Sequence, residues 1–269
     1  MVCKRVIGVL IYKDGKIYQS IKFKLTNQIG NAITKIEYYN SWSVDEIILL
    51  NVEREDNDKK LFYELLEQLS KRTFVPITIG GWIKNVDDAK MYQINGADKI
   101  SVNSMAVKQP DLIDNLSKKF GSQFIVLSID AKKIENDFYV VIDRGREVTK
   151  ILVKDWVVEA EKRGIGEVFL NCIDHDGSRK GYNTELLKLV REKIKVPLIA
   201  FGGAWEWSHL HQAIDECGAD AVALGNILHF REQSVKMAKN YLFEKKINVR
   251  APSFFKYNKV RTPNYKDVL

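Results

Sequence analysis

With 269 residues, 45% of them hydrophobic and 29% charged, the chain has the length and apolar content for one sizeable soluble core. No apolar run approaches the roughly 20 residues of a membrane span. The start, Met1-Val2-Cys3-Lys4-Arg5, enters a strand pattern at once, so neither a signal peptide nor a membrane contact is expected, and the expected location is cytoplasmic. The net charge of +7 is spread over solvated helices, as at Lys118-Lys119 and Lys245-Lys246, which disfavours nucleic acid and suits a phosphorylated small-molecule ligand.

Short β-branched runs then alternate with amphipathic helical patterns. Strands are expected at Arg5–Leu10 and Glu46–Asn51, a helix over 58–72, and strands at Val75–Ile79 and Lys99–Val102. A helix over Gln109–Phe120 leads to a fifth strand, Phe124–Ile129. The alternation breaks over Lys132–Lys150, where Phe138-Tyr139-Val140-Val141-Ile142 and Arg144-Gly145-Arg146 read as an inserted β-hairpin. A helix over Ile151–Arg163, a strand at Glu167–Cys172, a helix over Thr184–Lys193, and strands at Pro197–Phe201 and Ala221–Leu224 complete the series. Eight βα units in one chain of this length predict a single closed (β/α)8 barrel of the α/β class over residues 1–250. Residues 251–269, with Pro252, Pro263 and a basic balance, are expected to form an irregular tail.

The two halves repeat each other. Val75-Pro76 leads to Gly80-Gly81 and then Gly96-Ala97-Asp98, while Val196-Pro197 leads to Gly202-Gly203 and then Gly218-Ala219-Asp220. Both features recur 122 residues apart (202 − 80 and 218 − 96). The barrel is therefore read as two similar half-barrels.

In such a barrel, ligands meet the loops at the carboxyl ends of the strands. Gly80 and Gly81 follow the third strand, Gly202 and Gly203 the seventh, Asn103 and Ser104 the fourth, and Gly225 and Asn226 the eighth. Glycine there lets backbone N–H groups approach an anion, so two phosphate sites on opposite sides of the mouth are expected; the bland alternative is that tight βα turns also need glycine. Among the carboxylates, Asp130 at the end of the fifth strand is the better candidate for acid–base work, since an aspartate after a buried run needs a polar purpose. Asp174 and Asp176, in Asp174-His175-Asp176-Gly177, read by default as a loop cap and turn. The position matching Asp130 in the first half is Ile11, and the nearby Asp14 reads as part of a Lys13-Asp14-Gly15 turn.

Four charged residues, Arg5, Glu46, Lys99 and Glu167, stand near strand starts and can close the barrel floor as a ring, either as a plug or with a functional role. Cys3, Cys172 and Cys217 lack metal or disulfide spacing and are expected to be small buried residues. The four histidines, His175, His209, His211 and His229, do not have zinc-site spacing, so no metal or other cofactor is expected.

Together these residues resemble the HisF family, the cyclase subunits of imidazole glycerol phosphate synthase. The likeness runs from Met1 to about Arg250 and includes Lys13-Asp14-Gly15, Gly96-Ala97-Asp98-Lys99, Gly121-Ser122-Gln123, Ile129-Asp130-Ala131-Lys132, Asp155-Trp156-Val157-Val158, Glu161-Lys162-Arg163-Gly164, Asp176-Gly177, Gly202-Gly203-Ala204 and His229-Phe230-Arg231-Glu232. The resemblance implies a HisH-like glutaminase partner, Asp98 and Gln123 on the face toward it, and a gate for ammonia at Arg5, Glu46, Lys99 and Glu167. It also implies that Asp130 is one of two acid–base aspartates, and that Ser104, Asp176, Gly177 and Gly203 keep the phosphate-site pattern. The chain departs from the family at Ile11 (the second aspartate), Gln19 (a lysine), Asn51 (an aspartate), Trp82 (a glycine), Asn171 (a threonine) and Phe201 (a serine).

With delivery kept and the active face altered, the chain resembles most the divergent HisF-like acetamidino-modification (WbuZ-like) group of surface-polysaccharide synthesis. The leading expectation is an ammonia-conducting subunit that serves an N-acetyl sugar amidotransferase. The first alternative is the cyclase itself, converting the phosphoribulosyl aminoimidazole carboxamide intermediate (PRFAR) and ammonia into imidazole glycerol phosphate and AICAR. The second is a non-catalytic scaffold that channels ammonia.

Overall fold

The computed structural model describes residues 3–54, 59–230 and 232–252. The first half runs β1 (Arg5–Lys13), β2 (Lys16–Ile21), β3 (Lys24–Gly30), α1 (Ala32–Ser41), β4 (Glu46–Asn51), α2 (Lys59–Ser70), β5 (Ile77–Gly80), α3 (Val86–Ile94), β6 (Lys99–Val102), α4 (Ser104–Lys108) and α5 (Asp111–Phe120). The second half runs β7 (Ile125–Ile134), β8 (Asp137–Ile142), β9 (Glu147–Leu152), α6 (Val153–Arg163), β10 (Glu167–Cys172), α7 (Thr184–Arg191), β11 (Leu198–Phe201), α8 (Trp207–Asp215), β12 (Ala221–Leu224) and α9 (Ser234–Glu244). Eight strands pair in parallel in the order β1-β4-β5-β6-β7-β10-β11-β12, and β12 pairs back with β1. The sheet is a closed (β/α)8 barrel.

Local chemistry sets the element ends. Asn31, Asn85 and Asn183 each accept a backbone N–H three residues ahead, starting α1, α3 and α7. Such caps contribute about 1 kcal/mol each. Gly164 ends α6 in the left-handed conformation that glycine adopts without strain. The barrel strands read as continuous apolar runs because both faces are buried, against the helices outside and against one another inside. The inner cluster contains Ile7, Ile48, Val126, Phe169 and Ile199. Phe169 is 1% exposed and stacks on Phe201 with ring centroids 5.0 Å apart.

Four of the eight expected strands, Glu46–Asn51, Lys99–Val102, Glu167–Cys172 and Ala221–Leu224, coincide with observed ones. The third begins two residues later, at Ile77, because Val75 and Pro76 lie in the approach to the barrel. The expected hairpin after the fifth strand is present as the antiparallel meander β7–β8–β9, so β9 occupies Ile151 and Leu152, where a helix start was expected. Its counterpart after the first strand, β1–β2–β3, was not foreseen; Lys13-Asp14-Gly15 is its first turn. Cys172 and Cys217 are buried as expected, but Cys3 is exposed, beside Asn248 outside the barrel. Most of the expected tail, 253–269, lies outside the described residues.

The C-terminal segment is fastened at the barrel floor. Lys239 of α9, fully buried, donates to the Ser43 carbonyl and to Asp45 Oδ1, both at 2.6 Å. Arg250 donates to the same carboxylate at 2.7 Å. Val249 pairs with Lys4, which brings the end of the described chain to the amino-terminal face of β1.

Candidate functional site

Because strand side chains alternate between faces, the residues on one inner row can be followed from floor to mouth. Arg5, Ile7, Val9 and Ile11 share a face of β1; Lys99 and Ser101 share one of β6; Val126, Ser128 and Asp130 share one of β7; Glu167, Phe169 and Asn171 share one of β10. At the floor the four expected charges meet in a closed ring. Arg5 contacts Glu46 at 2.6 Å and Glu167 at 3.0 Å, while Lys99 contacts Glu46 at 3.2 Å and Glu167 at 3.1 Å. Burial lowers the Arg5 pKa, but the two glutamates outweigh it and hold the guanidinium charged. Above the ring, Thr78, Ser101 and Ser128 are buried small hydroxyls on adjacent strands. They form a polar stripe beside the apolar inner cluster, leading from Lys99 toward Asp130.

Asp130 is not the end of its strand, as expected from sequence. β7 continues to Ile134, and Asp130 sits where it parts from the barrel, opposite Asn171 of β10 and Val141 of β8. Asn103 Nδ2 donates to its carboxylate at 2.7 Å. Burial pushes the Asp130 pKa up to about 7; the Asn103 bond opposes this and the charge of Asp176 adds to it. An acid poised there can both accept and donate a proton near neutrality. Beside it, Asn103 Oδ1 and Asn171 Oδ1, and at the end of β4 Asn51 Nδ2, are buried and make no hydrogen bond among the described residues. Unpaired buried amides are costly and are commonly satisfied by water or a bound ligand.

Ile11 occupies the equivalent place in the first half, opposite Leu50 of β4 and Tyr18 of β2. The first half of the mouth thus presents Ile11 and Leu50 where the second presents Asp130 and Asn171.

The glycine pairs fall at the strand ends as expected. Gly81 and Gly203 have φ of +111° and +97°, and a Cβ on either would strike a neighbouring carbonyl, that of Asn51 or Gly181. Packing alone requires glycine at these two positions, so the turn reading suffices for them and the phosphate reading needs other support. Trp82, next to Gly81, holds φ +53°, a conformation suited to glycine, and secures itself by donating its indole N–H to the Glu53 carbonyl at 2.9 Å. Ser104 is engaged as well, its hydroxyl accepting the Asp143 N–H at 3.1 Å.

A cavity opens over the second half of the mouth. Gly177, Gly202, Gly203, Gly225 and Asn226 line it, together with Ile11 and Phe201. The structure therefore brings six of the expected ligand residues into one pocket, these five and Asp176, while Gly80, Gly81, Asn103 and Ser104 sit on the other side. Asp176 lines the pocket too, but its carboxylate accepts the Ser20 hydroxyl at 2.6 Å and the Phe23 N–H at 3.0 Å. It ties the β2–β3 hairpin across the mouth, and Asn226 adds a bond to the Ser20 carbonyl at 2.7 Å. Burial raises the Asp176 pKa; the Ser20 and Phe23 bonds act against it. Gln19, also in the pocket, is held by Asn27 at 3.1 Å. His229 is driven down to about 3 by burial and by the charge of Lys35, so it is neutral near pH 7.

Sequence reasoning missed the hairpin residues and the pocket's Arg179, Trp205 and His229. Arg179 stood in the legible basic loop Ser178-Arg179-Lys180, but nothing in that loop tells where the side chain goes. Asp98 and Gln123 lie exposed at the starts of β6 and β7, the same end as the ring, and the Asp98 carboxylate accepts the Ile77 N–H at 2.8 Å.

A sequence model described as "Histidine biosynthesis protein" matches residues 5–234. The chain is 38% identical over 250 residues to the imidazole glycerol phosphate synthase subunit HisF of a Thermotoga species, covering 93% of this chain and 98% of that protein. The chain belongs to the HisF family. Subunits of the same name from Natranaerobius thermophilus and Bacillus licheniformis are 39% and 38% identical, each covering 93% of this chain and 100% of the relative. The family resemblance read from the motifs thus extends across the barrel, whereas the surface-polysaccharide subgroup gains no support from these HisF relatives.

Proposed function

We propose that this HisF-family barrel is the synthase subunit of an imidazole glycerol phosphate synthase, taking ammonia from a HisH-like glutaminase at its floor and using it at the mouth. The reaction is the cyclase one, PRFAR plus ammonia giving imidazole glycerol phosphate and AICAR. The leading expectation from sequence, delivery to an N-acetyl sugar amidotransferase, gives way here because the relatives reported above carry the synthase name. The observation that carries the reading is the alignment of a closed ion ring, a stripe of buried hydroxyls and Asp130 along one side of the barrel.

In this reading Asp130 acts as the base that orients ammonia and takes a proton from the nitrogen as it bonds to carbon. Asn103 holds the carboxylate in place, and the unpaired Asn51 Nδ2 and Asn171 Oδ1 meet polar groups of the ligand. The exposed Phe74 and Ile94 stand at the floor end with Asp98 and Gln123, a mixed apolar and polar rim suited to a docked glutaminase.

One observation favours a second reading, in which ammonia goes to a different acceptor: Ile11 supplies no carboxylate opposite Asp130. The discriminating experiment supplies PRFAR to the barrel with a HisH-like glutaminase and compares glutamine with free ammonium as the nitrogen source. Filling the path with Ser101→Trp is expected to abolish the glutamine-dependent product while the ammonium-dependent reaction continues. Equal loss of both would refute internal delivery, and no product from the unaltered chain with either source would refute the cyclase reading.

A further inference from the structure

The pocket over the second half contains a cation that no assigned role uses. Arg179 lines it with Gly177, Gly202, Gly203 and Asn226, and among the described residues its guanidinium makes no ion pair. It is instead laid over aromatic rings, 3.9 Å from the centroid of Trp205 and 5.7 Å from that of Phe230. Those two rings meet edge to face at 5.6 Å. A guanidinium stacked on a ring keeps its in-plane N–H groups free to donate, and it loses less freedom when it binds than a loose side chain does.

The backbone beneath it is fixed as firmly. Arg179 has φ +64°, a strained value for an arginine, in a loop pinned at several points. His175 Nδ1 lies 2.8 Å from the Gly181 carbonyl, and the Gly181 N–H donates to the Gly203 carbonyl at 2.9 Å. The arginine's loop is thus bonded to the same Gly202-Gly203 turn that lines the pocket, and Trp205 lies two residues beyond that turn. The acid in the pocket, Asp176, already accepts two hydrogen bonds, and His229 is neutral. The uncommitted charge in this space is positive.

We propose that Arg179, held flat by Trp205 and Phe230, is the anion-recognition residue of the second-half pocket and clamps the phosphate monoester of the ligand against the Gly202-Gly203 turn. The paired N–H groups of the guanidinium match two phosphate oxygens, a stronger arrangement than backbone donors alone supply. This assignment rests on the reading of the pocket as a phosphate site and makes its two sides unequal: the second-half side carries a guanidinium, while on the first-half side Ser104 is bonded to the β8–β9 turn.

The test is calorimetric titration of the full chain with inorganic phosphate, then with glycerol 3-phosphate as a simple monoester. The variants are Arg179→Gln, Arg179→Lys and Trp205→Leu, with thermal melting in phosphate-free buffer as the check on folding. Arg179→Gln is expected to weaken both probes about tenfold or more at an unchanged melting temperature, with Arg179→Lys recovering part of the loss. Trp205→Leu, which keeps the charge but removes its support, is expected to weaken binding by a smaller factor. Phosphate binding equally well to the unaltered chain and to Arg179→Gln would overturn the assignment of Arg179 alone. No binding of either probe to the unaltered chain would overturn the phosphate reading itself and the proposal with it.

Discussion

The two halves of the barrel mouth share one backbone plan and differ in chemistry. In each, the first strand runs on past the barrel into an antiparallel hairpin, so Ile11 and Asp130 occupy matching places between a barrel neighbour and a hairpin neighbour. In the first half those neighbours are Leu50 and Tyr18, and in the second they are Asn171 and Val141. The first half is apolar at that position, its cradle secured by Trp82 and by the Ser104–Asp143 bond. The second half holds the buried acid, an unpaired amide and the arginine-bearing pocket. Duplicated geometry therefore does not imply duplicated function: the fold supplies two equivalent strand ends, and side chains decide which one does chemistry.

The most severe way to break the asymmetry is to remove its acid. Asp130→Asn in the complex with a HisH-like glutaminase is expected to cut product formation by about 10²–10⁴, read in a steady-state assay. The same substitution has a thermodynamic signature. The Asp130 pKa is raised in the folded state, so the folded carboxyl retains a proton that the unfolded chain has already released. Its contribution to stability is full below the unfolded carboxylate range and is lost as pH rises through about 7. Asp130→Asn should accordingly gain stability relative to the parent between about pH 4 and 7, with the gap widest above that window, in denaturant melts across pH.

Disrupting the floor, which both halves build together, comes next. Glu167→Gln leaves Arg5 and Lys99 short of one counter-charge in a ring whose side chains are mostly buried. A loss of about 3 kcal/mol is expected from urea unfolding. Restoring symmetry is a smaller and sharper test. Ile11→Asp places a second carboxylate in the wall of the pocket and is expected to raise cyclase turnover about tenfold. An unchanged rate would mean that Asp130 works without a partner acid in this chain. The smallest effect belongs to Trp82→Gly: the backbone strain is relieved by about 1 kcal/mol, but the indole bond to Glu53 and the packing on Phe62 are lost. The net change in melting should be slight.

Much of this plan was legible in the sequence, for reasons specific to each element. Strands buried on both faces leave unbroken runs such as Glu46–Asn51 and Glu167–Cys172, and tertiary packing has no competing choice there. The hairpin after β7 could be read because Phe138–Ile142 is itself apolar and buried at most positions. Its counterpart went unseen because β3, Lys24–Gly30, is exposed almost throughout and carries no apolar alternation. At the site, the ring and Asp130 followed from strand position, since alternation fixes which way a strand residue faces. Asp176 and Arg179 did not. Both depend on where a loop folds back, one onto the β2–β3 hairpin and the other onto Trp205, and loop direction leaves no periodic trace.

The most direct test of the central claim, that one buried aspartate at the second half of the mouth uses ammonia delivered from the floor, is a pH–rate profile. It follows PRFAR turnover by the complex, for the unaltered chain and for Asp130→Asn, with glutamine saturating. The account predicts a rate that rises with pH, is half-maximal near pH 7 and levels off above it in the unaltered chain, with that limb and nearly all turnover gone in the variant. A variant that keeps the parent rate and the same profile would contradict it.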